Sequence, residues 1–242
     1  MKILIVGSSL VNSESWAHML KNSSTHDIDI HQFNGGGNEI ISHTIMNHYE
    51  DYDAFINVWS PTDGVDILYS DRRKIKLHSG QSAQTKDGKN LWVHSAGWSG
   101  SWHVDSTDGV FRSYYKNQFD AEDSWQKTLA RILVVHKLIS NKPHLDMFSH
   151  NTLERISFGM HDKNSLKEYD KEKWKSFKEQ TQWVKLIDWS SFWFHSNEVS
   201  NTGGIMDWCH DNTSDDGLHP SVQGHEQFLN NIIKPWINNL NE

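Results

Sequence analysis

The sequence has one cysteine, a shortage of basic residues and no long apolar run, and each of these excludes a class of protein. Cys209 is the single cysteine in 242 residues, so no disulfide can form within the chain and the fold does not depend on oxidising conditions. The 23 basic against 31 acidic residues argue against a nucleic-acid partner, because phosphate binding needs a concentrated positive surface. Apolar runs are too short for a signal peptide or a membrane span, so we expect synthesis in the cytoplasm and no membrane association.

Short motifs for metal and nucleotide binding are also missing. The 16 histidines are scattered without HExxH or Cys/His spacing, so no metal ligand is predicted. The triple glycine at residues 35–37 could suggest a phosphate-binding loop, but the GxGxxG and GxxxxGK[ST] spacings are both absent. We therefore expect neither a metal nor an organic cofactor.

The first third of the chain alternates between strand-like and helix-like segments. Residues 2–6, 27–33 and 53–59 resemble strands, and the segments 14–20 and 40–49 between them have apolar residues at helical spacing. Strands separated by helices pair in parallel with right-handed crossovers. The pattern predicts a three-layer α/β/α sandwich with a mostly parallel sheet of about five strands, in a single domain covering residues 1–242.

The rest of the chain is less regular. Residues 60–119 lack a clear period and are predicted as a long inserted loop rich in tryptophan, which we expect to form a lid or a binding wall. The whole chain has 12 tryptophans, and we expect some of them at a binding surface and others in the core. The further predicted elements are a helix at 123–140, short strands at 145–150 and 183–189, and a last helix at 222–240 with a kink near Pro235.

Catalytic chemistry is indicated near both ends of the chain. Asp216 stands three residues before His219, close enough to orient the imidazole so that its Nε2 acts as a general base. Ser9 follows the first predicted strand on a turn of small polar residues, where a nucleophile is exposed. The alternatives are Asp215 as the orienting carboxylate, or an ordinary helix entry without a catalytic role.

Four short blocks of the sequence resemble the SGNH or GDSL-like hydrolases, with most similarity to a phage-associated branch. They are Gly7-Ser8-Ser9-Leu10, "NGGGNE" at residues 34–39, Ser60-Pro61-Thr62-Asp63, and the closing Asp-x-x-His-Pro at residues 216–220. The resemblance implies a flavodoxin-like sandwich and a triad of Ser9, Asp216 and His219. It also implies an oxyanion donor at Gly37, with Gly36 as the alternative, and places Thr62 where the family usually has an asparagine. Ser8 replaces the usual aspartate.

This resemblance implies a serine esterase, and the tryptophan-rich region favours an acylated carbohydrate as its substrate, most simply an O-acetylated glycan. Two alternatives remain open, namely a sugar O-acyltransferase and a glycan-binding or virion structural protein that has lost turnover. A phage origin would imply a virion-associated protein. The oligomeric state is left open. The predicted substrate-binding residues are Asn38, Trp59, Ser60, Trp98 and Trp102.

Overall fold

The computed structural model describes residues 1–62, 65–69, 81–84, 91–95, 118, 121–151, 182–196, 202–215 and 219–240. The strands are β1 (Lys2–Gly7), β2 (Asp27–Gln32), β3 (Ala54–Trp59), β4 (Val65–Tyr69), β5 (Gln81–Gln84), β6 (Leu91–Ser95) and β7 (His144–Phe148). The helices are α1 (Trp16–Ser23), α2 (Asn38–His48), α3 (Ala121–Leu138), α4 (Gln182–Leu186), α5 (Ile205–Trp208), α6 (Val222–Phe228) and α7 (Lys234–Asn239).

The central sheet is parallel and has the strand order β2-β1-β3-β7. Phe192 adds a single parallel bridge to Asp146 of β7. The predicted α/β class with a parallel sheet is confirmed. About five strands were expected, and the sheet has four full strands among the described residues together with this one-residue bridge.

Both faces of the sheet are covered by helices. This explains why the sequence of β1 is a nearly uninterrupted apolar run. Successive side chains of a strand point to opposite faces. Leu4 and Val6 therefore pack with residues of α2, α3 and α4, whereas Ile3 and Ile5 pack with residues of α1, α5, α6 and α7. This arrangement is the predicted three-layer sandwich, in which a parallel sheet is buried on both sides.

Part of the region predicted as an inserted loop forms a second sheet. Strands β4, β5 and β6 pair antiparallel in the order β4-β6-β5. The expectation of an irregular loop over residues 60–119 is therefore corrected at these strands. The strand sequences VDILY, QSAQ and LWVHS are short and do not alternate strictly between apolar and polar residues, so no strand pattern is visible in them.

The strand predicted at residues 183–189 is also wrong. The chain forms α4 there, followed by a 3-10 turn at Trp189–Ser191. The Trp189 indole N–H donates to the Val184 carbonyl at 2.7 Å, and the Asp188 carboxylate caps the turn by accepting from the Ser190 N–H at 3.0 Å. These local hydrogen bonds fold the segment back on itself, so that only Phe192 pairs with the sheet.

The C-terminal helix departs from regular α geometry close to the predicted position. A π-helical turn at Leu229–Ile233 joins α6 to α7, and Pro235 lies in the first turn of α7. Because proline lacks an N–H and crowds the preceding turn, this is where a change in hydrogen bonding is expected. None of the helices in the described ranges combines the length and apolar character needed to cross a membrane.

Candidate active site

Ser9 lies immediately beyond the carboxyl end of β1. The strand ends at Gly7, where an added Cβ would approach the Val58 Cβ to 2.8 Å, so only glycine fits between β1 and β3 at that point. The chain then turns through a short 3-10 segment, in which the Val11 N–H donates to the Ser8 carbonyl at 3.2 Å. This turn leaves Ser9 half-buried at the edge of the sheet where ligands bind in parallel α/β folds.

His219 reaches the same place from the other end of the chain. Its Nε2 lies 2.9 Å from the Ser9 Oγ. The histidine backbone is held by the Ser214 N–H, which donates to the His219 carbonyl at 2.9 Å, and by a β-bridge between Thr213 and Pro220. The structure thus brings together the predicted nucleophile and the predicted base, at a distance suited to proton transfer.

The carboxylate predicted to orient His219 cannot be placed. Asp216 lies outside the described residues, so its role stays a prediction. Asp215, the alternative, is described and its side chain is exposed.

His225 is a further histidine beside the pair that the sequence analysis did not single out. It is buried in α6, and burial together with the neighbouring His219 lowers its pKa to about 4. The ring is therefore uncharged at neutral pH and adds no repulsion when His219 takes up a proton. Its position in "HPSVQGHEQF", less than two helical turns after His219, was the available signal.

The glycines predicted as oxyanion donors have their N–H groups engaged elsewhere. The Gly37 N–H donates to the Asp66 carboxylate at 2.8 Å, and the Gly36 N–H donates to the Phe33 carbonyl at 2.7 Å. The expectation for both glycines is therefore corrected. The Ser9 N–H, by contrast, makes no hydrogen bond within the described part of the chain.

Asp66 takes the role of a helix cap. Its carboxylate accepts from the N–H groups of Gly37 and Ile40, both at 2.8 Å, at the beginning of α2. Burial raises the pKa of Asp66 to about 6, although the two backbone hydrogen bonds act in the opposite direction. This contact is not predictable from the sequence, because Asp66 belongs to β4, which lies in the region expected to be a loop.

The raised pKa of Asp66 predicts a particular dependence of stability on pH. Between about pH 4 and 6 the folded state binds more protons than the unfolded state, so the free energy of unfolding falls as the pH rises. A shift of this size corresponds to about 3 kcal/mol at most. Urea denaturation across pH 4–7 should show that the free energy of unfolding falls with rising pH in the wild type but not in Asp66→Asn.

Asp27→Asn is the matched control for this measurement, because it removes the same charge from an exposed position. Its pH dependence is expected to follow that of the wild type. An Asp66→Asn variant that also follows the wild type would contradict the assignment of the decrease to Asp66.

Asn38 and Ser60 form a buried brace instead of the predicted substrate contact. The Asn38 Oδ1 accepts from the Ser60 N–H at 2.8 Å, and its Nδ2 donates to the Ser60 carbonyl at 2.9 Å and to the Thr128 Oγ1 at 3.2 Å. The Ser60 hydroxyl donates to the Gly36 carbonyl at 2.6 Å. Both residues are almost fully buried, so they join β3, α2 and α3.

Trp59 and Thr62 make contacts other than the predicted ones. Trp59 is fully buried and its indole N–H donates to the Asp146 Oδ1 at 2.7 Å, which corrects its assignment to substrate binding. Thr62 is buried, its carbonyl accepts from the Ser124 hydroxyl, and within the described residues it makes no hydrogen bond to Ser9 or His219. Trp98 and Trp102 lie outside the described residues.

Comparison with known proteins gives a fold-level likeness. No protein-family model matches the chain, and no curated protein matches it. The chain is similar to the crystal structure of the psychrotrophic esterase EstA from Pseudoalteromonas sp., inhibited by monoethylphosphonate. The TM-score is 0.45 and the identity 12%, over 98% of each chain. At these values the likeness bears on no individual residue, and the α/β class follows from the sheet and helices of the protein itself.

Proposed function

We propose that the protein is a serine esterase of SGNH type that removes O-acetyl or other short acyl groups from a carbohydrate through an acyl-enzyme. The observation that carries this proposal is the 2.9 Å separation of the Ser9 Oγ and the His219 Nε2 at the carboxyl edge of a parallel sheet. A serine beside an imidazole, on a turn after a buried strand, is the arrangement that activates a hydroxyl for attack on a carbonyl.

The reaction follows from this pair. The Ser9 Oγ attacks the ester carbonyl carbon while its proton passes to the His219 Nε2, giving a tetrahedral oxyanion. The bond from the carbonyl carbon to the leaving oxygen breaks, and His219 returns the proton to the departing sugar hydroxyl. Water then attacks the acyl-enzyme with His219 again as the base, and the carboxylic acid and free Ser9 are released.

The groups around Ser9 and His219 have separate roles in the proposed reaction. The Ser9 N–H is the oxyanion donor that the described contacts support, since it has no other partner there. Asp216 is proposed to orient His219 through Nδ1. One well-placed donor contributes about 3–4 kcal/mol to lowering an acyl-transfer barrier, so an oxyanion site with fewer donors predicts slower turnover.

The choice of a carbohydrate substrate comes from the sequence. Tryptophans such as Trp98 and Trp102 provide faces that stack on sugar rings, and the net charge of −8 disfavours polyanionic ligands. A glycan-binding or virion protein without turnover and a sugar O-acyltransferase are the two alternatives. The acyltransferase would form the same acyl-enzyme and differ in the acceptor alone.

Acyl release from defined esters tests the proposed function. We expect free acetate from an O-acetylated oligosaccharide, and a kcat/KM for 4-nitrophenyl acetate at least about 10-fold above that for 4-nitrophenyl decanoate. Ser9→Ala should abolish both activities, whereas the exposed control Ser13→Ala should retain them. Transfer of acetate to a sugar acceptor without free acetate would identify the acyltransferase. Glycan binding without release of any acyl group would favour the binding protein.

A further inference from the structure

A second cluster of chemically active side chains lies away from Ser9. His136 belongs to the last turns of α3, His144 begins β7 and Asp146 stands in the middle of that strand. In the sheet register His144 stands level with Leu4 and Asp146 level with Val6, but β3 separates β7 from β1, the strand that leads to Ser9. The cluster is therefore separate from the candidate active site.

The three side chains converge on one point. The His136 Nε2 lies 3.2 Å from the Asp146 Oδ2, and the His144 Nε2 lies 3.9 Å from the same oxygen. One ligand atom from each residue lies within 4.8 Å of the other two. Asp146 is 0% exposed and His136 is 6% exposed, so water contributes little to their solvation.

The two oxygens of the Asp146 carboxylate have different surroundings. Its Oδ1 accepts from the Asn57 Nδ2 at 3.0 Å and from the Trp59 Nε1 at 2.7 Å. Its Oδ2 has no hydrogen-bond partner among the described residues and faces the two imidazoles. Burying a carboxylate oxygen without a hydrogen-bond partner costs free energy, so we expect a positively charged group beside this oxygen.

The orientation of His144 also indicates a positively charged group at this point. Its Nδ1 lies 2.9 Å from the Lys142 carbonyl, and since a carbonyl only accepts, the Nδ1 carries the proton. In the neutral ring the Nε2 is then a lone-pair acceptor, and it faces the Asp146 Oδ2, which is also an acceptor. The Nε2 of His144 and both ring nitrogens of His136 are buried and make no hydrogen bond within the described ranges.

We propose that His136, His144 and Asp146 bind one Zn²⁺ ion. Two imidazole nitrogens and one carboxylate oxygen are a donor set that Zn²⁺ accepts, and bonds of about 2.0–2.2 Å in a tetrahedron place ligand atoms about 3.3–3.6 Å apart. The separations of 3.2 and 3.9 Å bracket these values, and the three ligand atoms all lie within 4.8 Å of one another. The ion would join α3 to β7.

The outer hydrogen bonds fit this assignment. The Lys142 carbonyl orients His144, while Asn57 and Trp59 hold Asp146. Metal ligands in proteins are usually fixed by such partners. Among the described residues, the cluster offers these three ligands. The sequence did not predict the site because its ligands come from a helix and a strand and match no short metal-binding spacing.

Metal titration of the untagged, chelator-treated protein tests this proposal. We expect one equivalent of Zn²⁺ per chain by equilibrium dialysis and elemental analysis, and visible d–d bands on addition of Co²⁺ that Zn²⁺ removes. His144→Ala deletes one ligand at a partly buried position, and should weaken Zn²⁺ binding at least about 100-fold. The exposed His210→Ala is the control for binding by other histidines and should behave as the wild type.

Two results would overturn the proposal. One is a wild type that binds no Zn²⁺, and the other is equal binding by wild type and a folded His144→Ala variant. Either would mean that the cluster does not hold Zn²⁺. If His144→Ala does not fold, X-ray absorption of the zinc-loaded wild type decides, because the proposal requires two imidazoles in the coordination shell. Ser9→Ala should bind Zn²⁺ as the wild type does, whatever its activity.

Discussion

Replacement of Ser9 by alanine is expected to lower kcat for ester hydrolysis by about 10⁴-fold or more, with little change in stability. The physical reason is that no covalent intermediate can form without the Oγ that lies 2.9 Å from the His219 Nε2. Steady-state kinetics on 4-nitrophenyl acetate measure this effect, and urea denaturation checks that the variant is folded.

A double-mutant cycle separates a catalytic pair from two independent contributions. His219→Ala should lose nearly as much activity as Ser9→Ala, and the double variant should lose little more, because the two side chains act as one unit. The exposed pair Ser13→Ala and His210→Ala provides matched controls that should leave kcat unchanged. Losses that simply multiply in the double variant would argue against a shared proton-transfer step.

The substitution Asn38→Ala is expected to reduce the free energy of unfolding by about 2–4 kcal/mol. It leaves the Ser60 N–H and the Ser60 carbonyl without their partners in a buried position, and it also removes the contact with Thr128. The effect should be visible as a lower midpoint in urea with an unchanged slope.

The same variant distinguishes a structural role of Asn38 from contact with the substrate. If Asn38 is a brace, KM should change little in the folded variant while stability falls. Asn47→Ala, at an exposed position of the same helix, should change stability by less than about 0.5 kcal/mol. A large rise in KM together with unchanged stability would return Asn38 to the role that the sequence suggested.

Much of the fold could be predicted from the sequence because the first third of the chain has strong periodic patterns. Strands β1, β2 and β3 and the helices between them fall close to the expected bounds. Ser9 and His219 could be paired for a similar reason, since one follows the first strand and the other precedes the last helix. Elements at such places meet at one edge of a parallel sheet.

The remaining site residues could not be assigned because a sequence does not show which group a polar side chain forms hydrogen bonds with. Asn38 and Ser60 stand next to the carboxyl edge, where polar residues can face either a ligand or the backbone, and here they bind each other. Asn57 is polar and stands two positions before Trp59. Both nevertheless belong to β3, whose six residues are all buried. Their partner Asp146 lies 89 positions after Asn57, a distance that no local pattern encodes.

The most direct test of the Ser9 assignment is intact-mass analysis after reaction with a fluorophosphonate, which modifies an activated serine without knowledge of the substrate. One adduct is expected on the wild type and on Ser13→Ala, and none on Ser9→Ala or on the acid-unfolded wild type. Peptide mapping should place the modification on Ser9. A folded wild type that gains no adduct at neutral to mildly alkaline pH, or gains it equally after Ser9→Ala, would contradict the catalytic pair.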